Sequence, residues 1–173
     1  MNKELQLLMA LSMSVVACSD PAPRADPLPD QEELITDNQR AARQELRDIE
    51  LYVKRHSLAA PDIGTGVRIS MIRDLAGATA LPDQMITVNY VMELLSGAEC
   101  YRSEPGEPES FRVEHDDVES GLHEAVQHLS VGDSAVLIIP SHRAFGLIGD
   151  QAKVPMRSSV VYRIGVIDIK DVR

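Results

Sequence analysis

The chain has 173 residues, 44% of them hydrophobic, which is enough for one packed domain plus accessory segments. Aromatics make up 3% and there is no Trp, so aliphatic side chains must build most of the core. A net charge of −10 with no Lys/Arg run excludes a nucleic-acid partner, because a phosphate backbone would be repelled.

The first apolar run, Leu5 to Ala17, follows Lys3 and Glu4. It is shorter than the about 20 residues a membrane span needs, and residues 1–17 read as a signal peptide. The run closes on Val15-Val16-Ala17-Cys18, which resembles a bacterial lipobox with Cys18 as the acylated residue. The alternative is an ordinary signal peptide cut near Ala17. Each buried acyl CH₂ contributes about 0.8 kcal/mol, so several chains on Cys18 would make a stable membrane anchor. Ser19 after the cysteine favours the outer membrane, facing the periplasm. Residues 18–30 carry Pro21, Pro23, Pro27 and Pro29 and read as an extended tether. At about 3.1 Å per residue it reaches roughly 30 Å.

Residues 31–64 form the next segment. Gln31 to His56 lacks Pro and Gly, and Ala42, Leu46, Ile49 and Val53 recur at helical spacing, so an amphipathic helix is expected. Its stripe either packs on its own domain, the favoured reading, or docks a second copy or a partner. Pro61, Gly64 and Gly66 break the chain.

From Val67 the period changes to two. Val67–Met71 and Met85–Leu95 read as strands, the second with Ile86, Val88, Tyr90, Met92 and Leu94 on its core face. Ser96-Gly97 is a turn and Phe111–Val113 a short strand. Gly121–Leu129 is a helix presenting Leu122, Val126 and Leu129. Ser134–Ile139 is an apolar strand stopped by Pro140, and Ser159–Ile169 is a strand with a bulge expected near Gly165. The expected class is α+β: a curved antiparallel sheet of five to six strands wrapped on one short helix, preceded by the amphipathic helix.

Seven local words stand in a telling order. They are Val88-Asn89-Tyr90, Ser96-Gly97, Val118 to Val126, Leu129 to Gly132, Ile139-Pro140 with Ala144-Phe145-Gly146, Val154-Pro155 with Val160-Val161-Tyr162, and Val166 to Ile169. In that order and spacing they resemble the FK506-binding-protein (FKBP) type of peptidyl-prolyl cis-trans isomerase, over residues 65–173. With the helical prefix and the lipobox, the chain also resembles the gliding-motility-associated isomerase lipoproteins of Bacteroidetes-type bacteria. The resemblance implies a pocket built from Tyr90, Cys100, Tyr101, Phe111, Val118, Glu119, Leu122, Phe145, Val154 and Tyr162. Glu119 would act through its backbone N–H.

Three positions depart from that pattern. Leu122 stands where the family usually has Trp, Cys100-Tyr101 where it has Phe followed by an acid, and Phe145 where it has Tyr. A weak isomerase of exported proteins is therefore expected, with proline-containing polypeptides as clients and no cofactor. The alternative is a non-catalytic chaperone or binding module of a cell-envelope complex serving gliding or secretion.

Other signals carry less. His123 and His128 lie on different helical faces and lack zinc spacing. His115, Asp116 and Asp117 lack the ligand spacing of a calcium loop. Gly64 and Gly66 lack a third glycine. Cys100 has no paired base and reads as a small buried hydrophobe.

Overall fold

The computed structural model describes residues 30–172. The signal peptide, Cys18 and nearly all of the tether lie outside them. Helix α1 spans Gln31–Arg55. Asp30 caps it by accepting the Glu33 N–H at 2.8 Å, with Glu32 and Glu33 in the first turn and Lys54 and Arg55 in the last. Among the described residues no helix is long and apolar enough to cross a membrane.

Six strands follow: β1 Arg68–Arg73, β2 Met85–Leu94, β3 Glu99–Arg102, β4 Glu109–Arg112, β5 Ser134–Ile139 and β6 Val160–Lys170. Helix α2, Ser120–Val126, lies between β4 and β5. The antiparallel sheet runs β1-β5-β6-β2-β3, with β4 also on β2. One edge of β2 pairs with β6 along its whole length. Its other edge is shared: Met85–Val88 pair with β4 and Val91–Glu93 with β3. Where the two short strands leave a gap, Ser103 fills in. Its N–H donates to the Tyr90 carbonyl and its Oγ accepts the Tyr90 N–H, both at 3.1 Å.

Strand alternation divides the core in two. Ala135, Leu137 and Ile139 of β5 and Val160, Tyr162, Ile164 and Val166 of β6 face the same side as Ile86, Val88 and Met92. Leu122, Ala125, Val126 and Leu129 of the α2 segment close that side. Val136, Ile138 and Val161 point the opposite way and are covered by Ile49 and Tyr52 of α1, with Ala60 behind. This accounts for the near-continuous apolar run of β5, buried on both faces, whereas the second face of β6 is buried only at Val161 and exposes Arg163 and Ile167.

The expected class holds, with several differences of detail. The buried stripe of α1 is Ala41, Glu45, Ile49, Tyr52 and Val53, while Ala42 and Leu46 are exposed. Tyr52 offers more apolar area than Ala42, and Glu45 finds polar partners on the domain, so the helix is rotated from the expected face. Strand β3 did not stand out in the sequence because it has four residues, two of them charged and exposed at its ends. The bulge in β6 falls at Ile167, two residues beyond Gly165. Thr87 pairs with Asp168 and Val88 with Val166, so Ile167 is the extra residue and points to solvent. Gly121 lets α2 approach β5 closely: a Cβ there would lie 2.4 Å from Ile139 Cγ2.

Candidate functional site

Between α2 and the sheet face it covers lies a cavity of about 660 Å³. Its floor is Leu122 with Val88, Met92 and Ile164 beneath, and its walls are Tyr90, Phe111, Val118, Tyr162, Ala144 and Phe145. Tyr101 closes one side, and the carboxylates of Glu109, Asp117 and Glu119 stand around it. Of the residues singled out in the sequence, eight meet here: Tyr90, Tyr101, Phe111, Val118, Glu119, Leu122, Phe145 and Tyr162. Cys100 and Val154 do not. Cys100 precedes Tyr101 on β3, and neighbours on a strand point to opposite faces, so it is buried in the core. Burial pushes its thiol above the ordinary value, and the nearby Asp150 carboxylate adds to this. Val154 is turned into the core by a loop that Asp150 fixes.

The three tyrosine hydroxyls at the cavity are all engaged. Tyr90 and Tyr162 pack with ring centroids 5.6 Å apart. Tyr90 Oη donates to Glu109 at 3.2 Å, and Tyr162 Oη donates to Glu119 at 2.8 Å. Burial, reinforced by Glu109, pushes the Tyr90 phenol up to about 12. Burial and then Glu119 push Tyr162 up further, so both remain protonated donors. Tyr101 Oη donates to Asp150 at 2.5 Å. Its proton is thus committed outside the cavity and is not free for a ligand. Lys153 braces the same ring from 4.7 Å and donates to the Cys100 carbonyl at 2.7 Å.

Glu119 is the unusual member. It is the residue before α2, in extended conformation, so its N–H has no helical acceptor. That N–H lies against its own carboxylate, which also accepts from Tyr162. Burial pushes the carboxyl above the ordinary carboxylate range, and these hydrogen bonds offset it only in part.

Two supports were not visible in the sequence. His123 Nδ1 accepts the Glu114 N–H at 2.9 Å, which places the ring proton on Nε2, 3.0 Å from the Asp116 carbonyl. The imidazole also meets Phe111 edge-on at 5.7 Å. It thereby ties α2 to the turn that leads into Val118. Asp150 Oδ1 accepts the N–H groups of Ala152, Lys153 and Val154 at 2.7 to 3.0 Å. Gly149 sits beside it at φ +70°, where a Cβ would lie 2.1 Å from the Val154 carbonyl oxygen.

A profile of the FKBP-type peptidyl-prolyl cis-trans isomerases matches residues 77–167, just over half of the chain. The protein belongs to that family. Among its relatives is the FKBP-type peptidyl-prolyl cis-trans isomerase FkpA of Escherichia coli K12. It is 30% identical over 107 residues, covering 61% of this chain and 38% of FkpA. FK506-binding protein 2 of Debaryomyces hansenii is 27% identical over 111 residues, covering 64% of this chain and 82% of its own. The chain therefore matches well under half the length of FkpA. The crystal structure of E. coli FkpA superposes with a TM-score of 0.67 at 24% identity, over 84% of this chain and 76% of that one. A peptidyl-prolyl isomerase of Pseudomonas syringae gives 0.66 at 23%, over 77% and 96%. The fold is the same in both.

Within the FKBP-type framework the cavity keeps its aromatic and aliphatic walls, and its departures now have positions. Leu122 leaves the floor wider than an indole would. Phe145 presents a bare ring edge. Glu119 brings a carboxylate to the one backbone donor expected to meet a substrate carbonyl.

Proposed function

We propose that the cavity catalyses cis–trans isomerisation of X–Pro bonds in exported polypeptides, at a reduced rate and without a cofactor. The observation that supports it is the convergence of Leu122, Val118, Phe111, Phe145, Tyr90 and Tyr162 on one hollow large enough for a proline ring. Amide resonance sets a barrier of about 18–20 kcal/mol, and the uncatalysed step takes tens of seconds or more. In the planar amide the carbonyl oxygen carries negative charge and the nitrogen positive charge. An apolar hollow that excludes water disfavours that separation and so favours the twisted amide. The Glu119 N–H would orient the carbonyl before the proline once its own carboxylate moves aside. Glu109, Asp117 and Glu119 line the cavity and, among the described residues, no cationic one does, so a proline next to a basic side chain is the favoured client.

The test is relaxation of cis-enriched prolyl peptides with the full chain. Acceleration over buffer that falls roughly tenfold in Phe145→Ala supports the reading. A rate equal to buffer at tens of micromolar protein overturns it.

A second reading is a binding module that holds clients without turning them over. It draws on Leu147, Ile148 and Met156, all more than half exposed in the loop that also carries Phe145. Suppression of client aggregation by a catalytically silent protein would favour it. In either case we place the protein in the cell envelope, anchored through Cys18 on the periplasmic side of the outer membrane. Incorporation of labelled palmitate that Cys18→Ser abolishes is the expected result. On α1, Leu34, Ile35, Leu46 and Leu51 are exposed apolar side chains, through which the helix would meet a second copy or an envelope partner.

A further inference from the structure

The wall of the cavity at Ala144 and Phe145 belongs to residues 140–159, a stretch that joins β5 to β6 and contains no strand. Its position must come from side-chain and turn hydrogen bonds. The Asp150 cluster fixes its middle, and both of its ends are held from the other face of the sheet, by α1. Glu45 Oε1 accepts the Ser141 N–H at 2.6 Å and the Ser159 hydroxyl at 2.6 Å, while Oε2 accepts the Ser141 hydroxyl at 2.9 Å. Both serines are buried and Glu45 is half-buried, so these are charge-assisted bonds partly shielded from water. The Ser141 carbonyl in turn accepts the N–H groups of Ala144 at 3.0 Å and Gly146 at 2.7 Å, the residues on either side of Phe145. The Gly146 carbonyl accepts the Arg157 N–H at 3.1 Å, and Arg157 Nη2 donates to Asn38 at 2.8 Å. Asn38 and Glu45 are seven residues apart, two turns along one face of α1.

We propose that α1 clamps the loop bearing Phe145 and that Glu45 is a positioning residue for isomerisation, acting through Ser141. The activity readout rests on the isomerase reading; the clamp itself does not. Helix α1 thereby has a role in the site although none of its residues lines the cavity. Glu45 carries most of the effect. The exposed Asn38–Arg157 bond adds a weaker second point.

A purely architectural role, fastening α1 to the sheet, must be told apart. Ile49→Ala loosens the same helix through its packing in the cluster with Val136, Ile138 and Val161 and removes no hydrogen bond to Ser141 or Ser159. The full chain is compared as wild type, Glu45→Ala, Glu45→Gln and Ile49→Ala, by NMR of the Phe145 ring and Gly146 amide and by prolyl-peptide relaxation. Glu45→Ala is expected to move both resonances and lower kcat/KM roughly tenfold, since small misplacements of a site wall are costly. Glu45→Gln keeps one carbonyl acceptor for the Ser141 N–H and recovers part of both. Ile49→Ala, even with the larger fall in Tm, leaves the resonances near wild type. Unmoved Phe145 and Gly146 signals in Glu45→Ala would overturn the clamp, as would equal shifts in Ile49→Ala. If the wild type has no isomerase activity, the catalytic reading fails and the resonances alone decide the clamp.

Discussion

The two faces of the sheet are built from the same strands and the same aliphatic residues, yet they end differently. On the α1 face, Val136, Ile138 and Val161 meet Ile49, Tyr52 and Ala60 and the contact is closed at that cluster, while Asn89 and Arg163 farther along stay exposed. On the α2 face the helix is only seven residues long and covers part of the surface. The remainder is framed by side chains with one polar end, Tyr90, Tyr162 and Tyr101, whose hydroxyls are tied to Glu109, Glu119 and Asp150. Those tethers hold the rings upright around a hollow instead of letting them collapse into it. A sealed face and an open one can thus share a strand. What separates them is the length of the covering helix and whether the rim side chains have somewhere else to bond.

The comparison breaks first on stability. Leu137 and Ile138 are adjacent on β5, fully buried, and face opposite sides. Truncation of either to Ala is expected to cost about 2–5 kcal/mol in urea unfolding. Under folding conditions only Leu137→Ala, beneath the cavity side, should change prolyl-peptide relaxation. A matching loss in Ile138→Ala would mean the faces are not separable. Phe145→Ala comes next, and its signature is reversed. The half-buried ring should contribute no more than about 1 kcal/mol to stability, while kcat/KM falls roughly tenfold.

Smaller effects sharpen the electrostatic side. Peptides with Lys before proline should be turned over several-fold faster than those with Glu, the gap narrowing in high salt. An indifferent enzyme would show that the carboxylates do not act on the client. Glu119 has its folded pKa raised by burial, so the fold resists its ionisation and wild type loses stability as pH rises through the carboxylate range. Glu119→Gln should therefore melt higher at neutral pH, with the gain shrinking as pH falls below the ordinary carboxylate value. Asp150 has the opposite sign. The Tyr101 hydroxyl, with backbone N–H groups, lowers its carboxyl from 3.8 to about 2. Its stabilising contribution is present above 3.8 and lost as pH falls toward 2. Asp150→Asn should show a Tm deficit at neutral pH that closes in that window.

Local pattern carried much of the fold. The alternation of β2 identified its core face, and the unbroken SAVLII run marked β5 as a strand, while its burial on both faces depends on α1 and α2 packing against it. The face of α1 was harder, because apolar residues lie on two overlapping stripes. Glu45 joins the buried one only through serines 96 and 114 residues away. Strand β3 depends on the vacant edge of β2 more than on its own residues. At the site, Tyr90, Val118, Glu119, Leu122, Phe145 and Tyr162 lie within recognisable words and line the cavity, whereas Val154 sits in one and faces the core. Glu109, Asp117, Asp150 and Ser103 had no local signature. Each acquires its role from a partner brought near by folding.

Gly121 has one more consequence. With 2.4 Å between its missing Cβ and Ile139, and 3.1 Å to Arg143, α2 rests almost directly on β5 and on the turn after it. The height of the floor is thus fixed by a hydrogen atom. Any larger substituent at 121 must tilt or lift the helix, and Leu122 would rise with it. Position 121 is therefore a built-in shim: changing it would retune the depth of the hollow without altering any residue that a client meets.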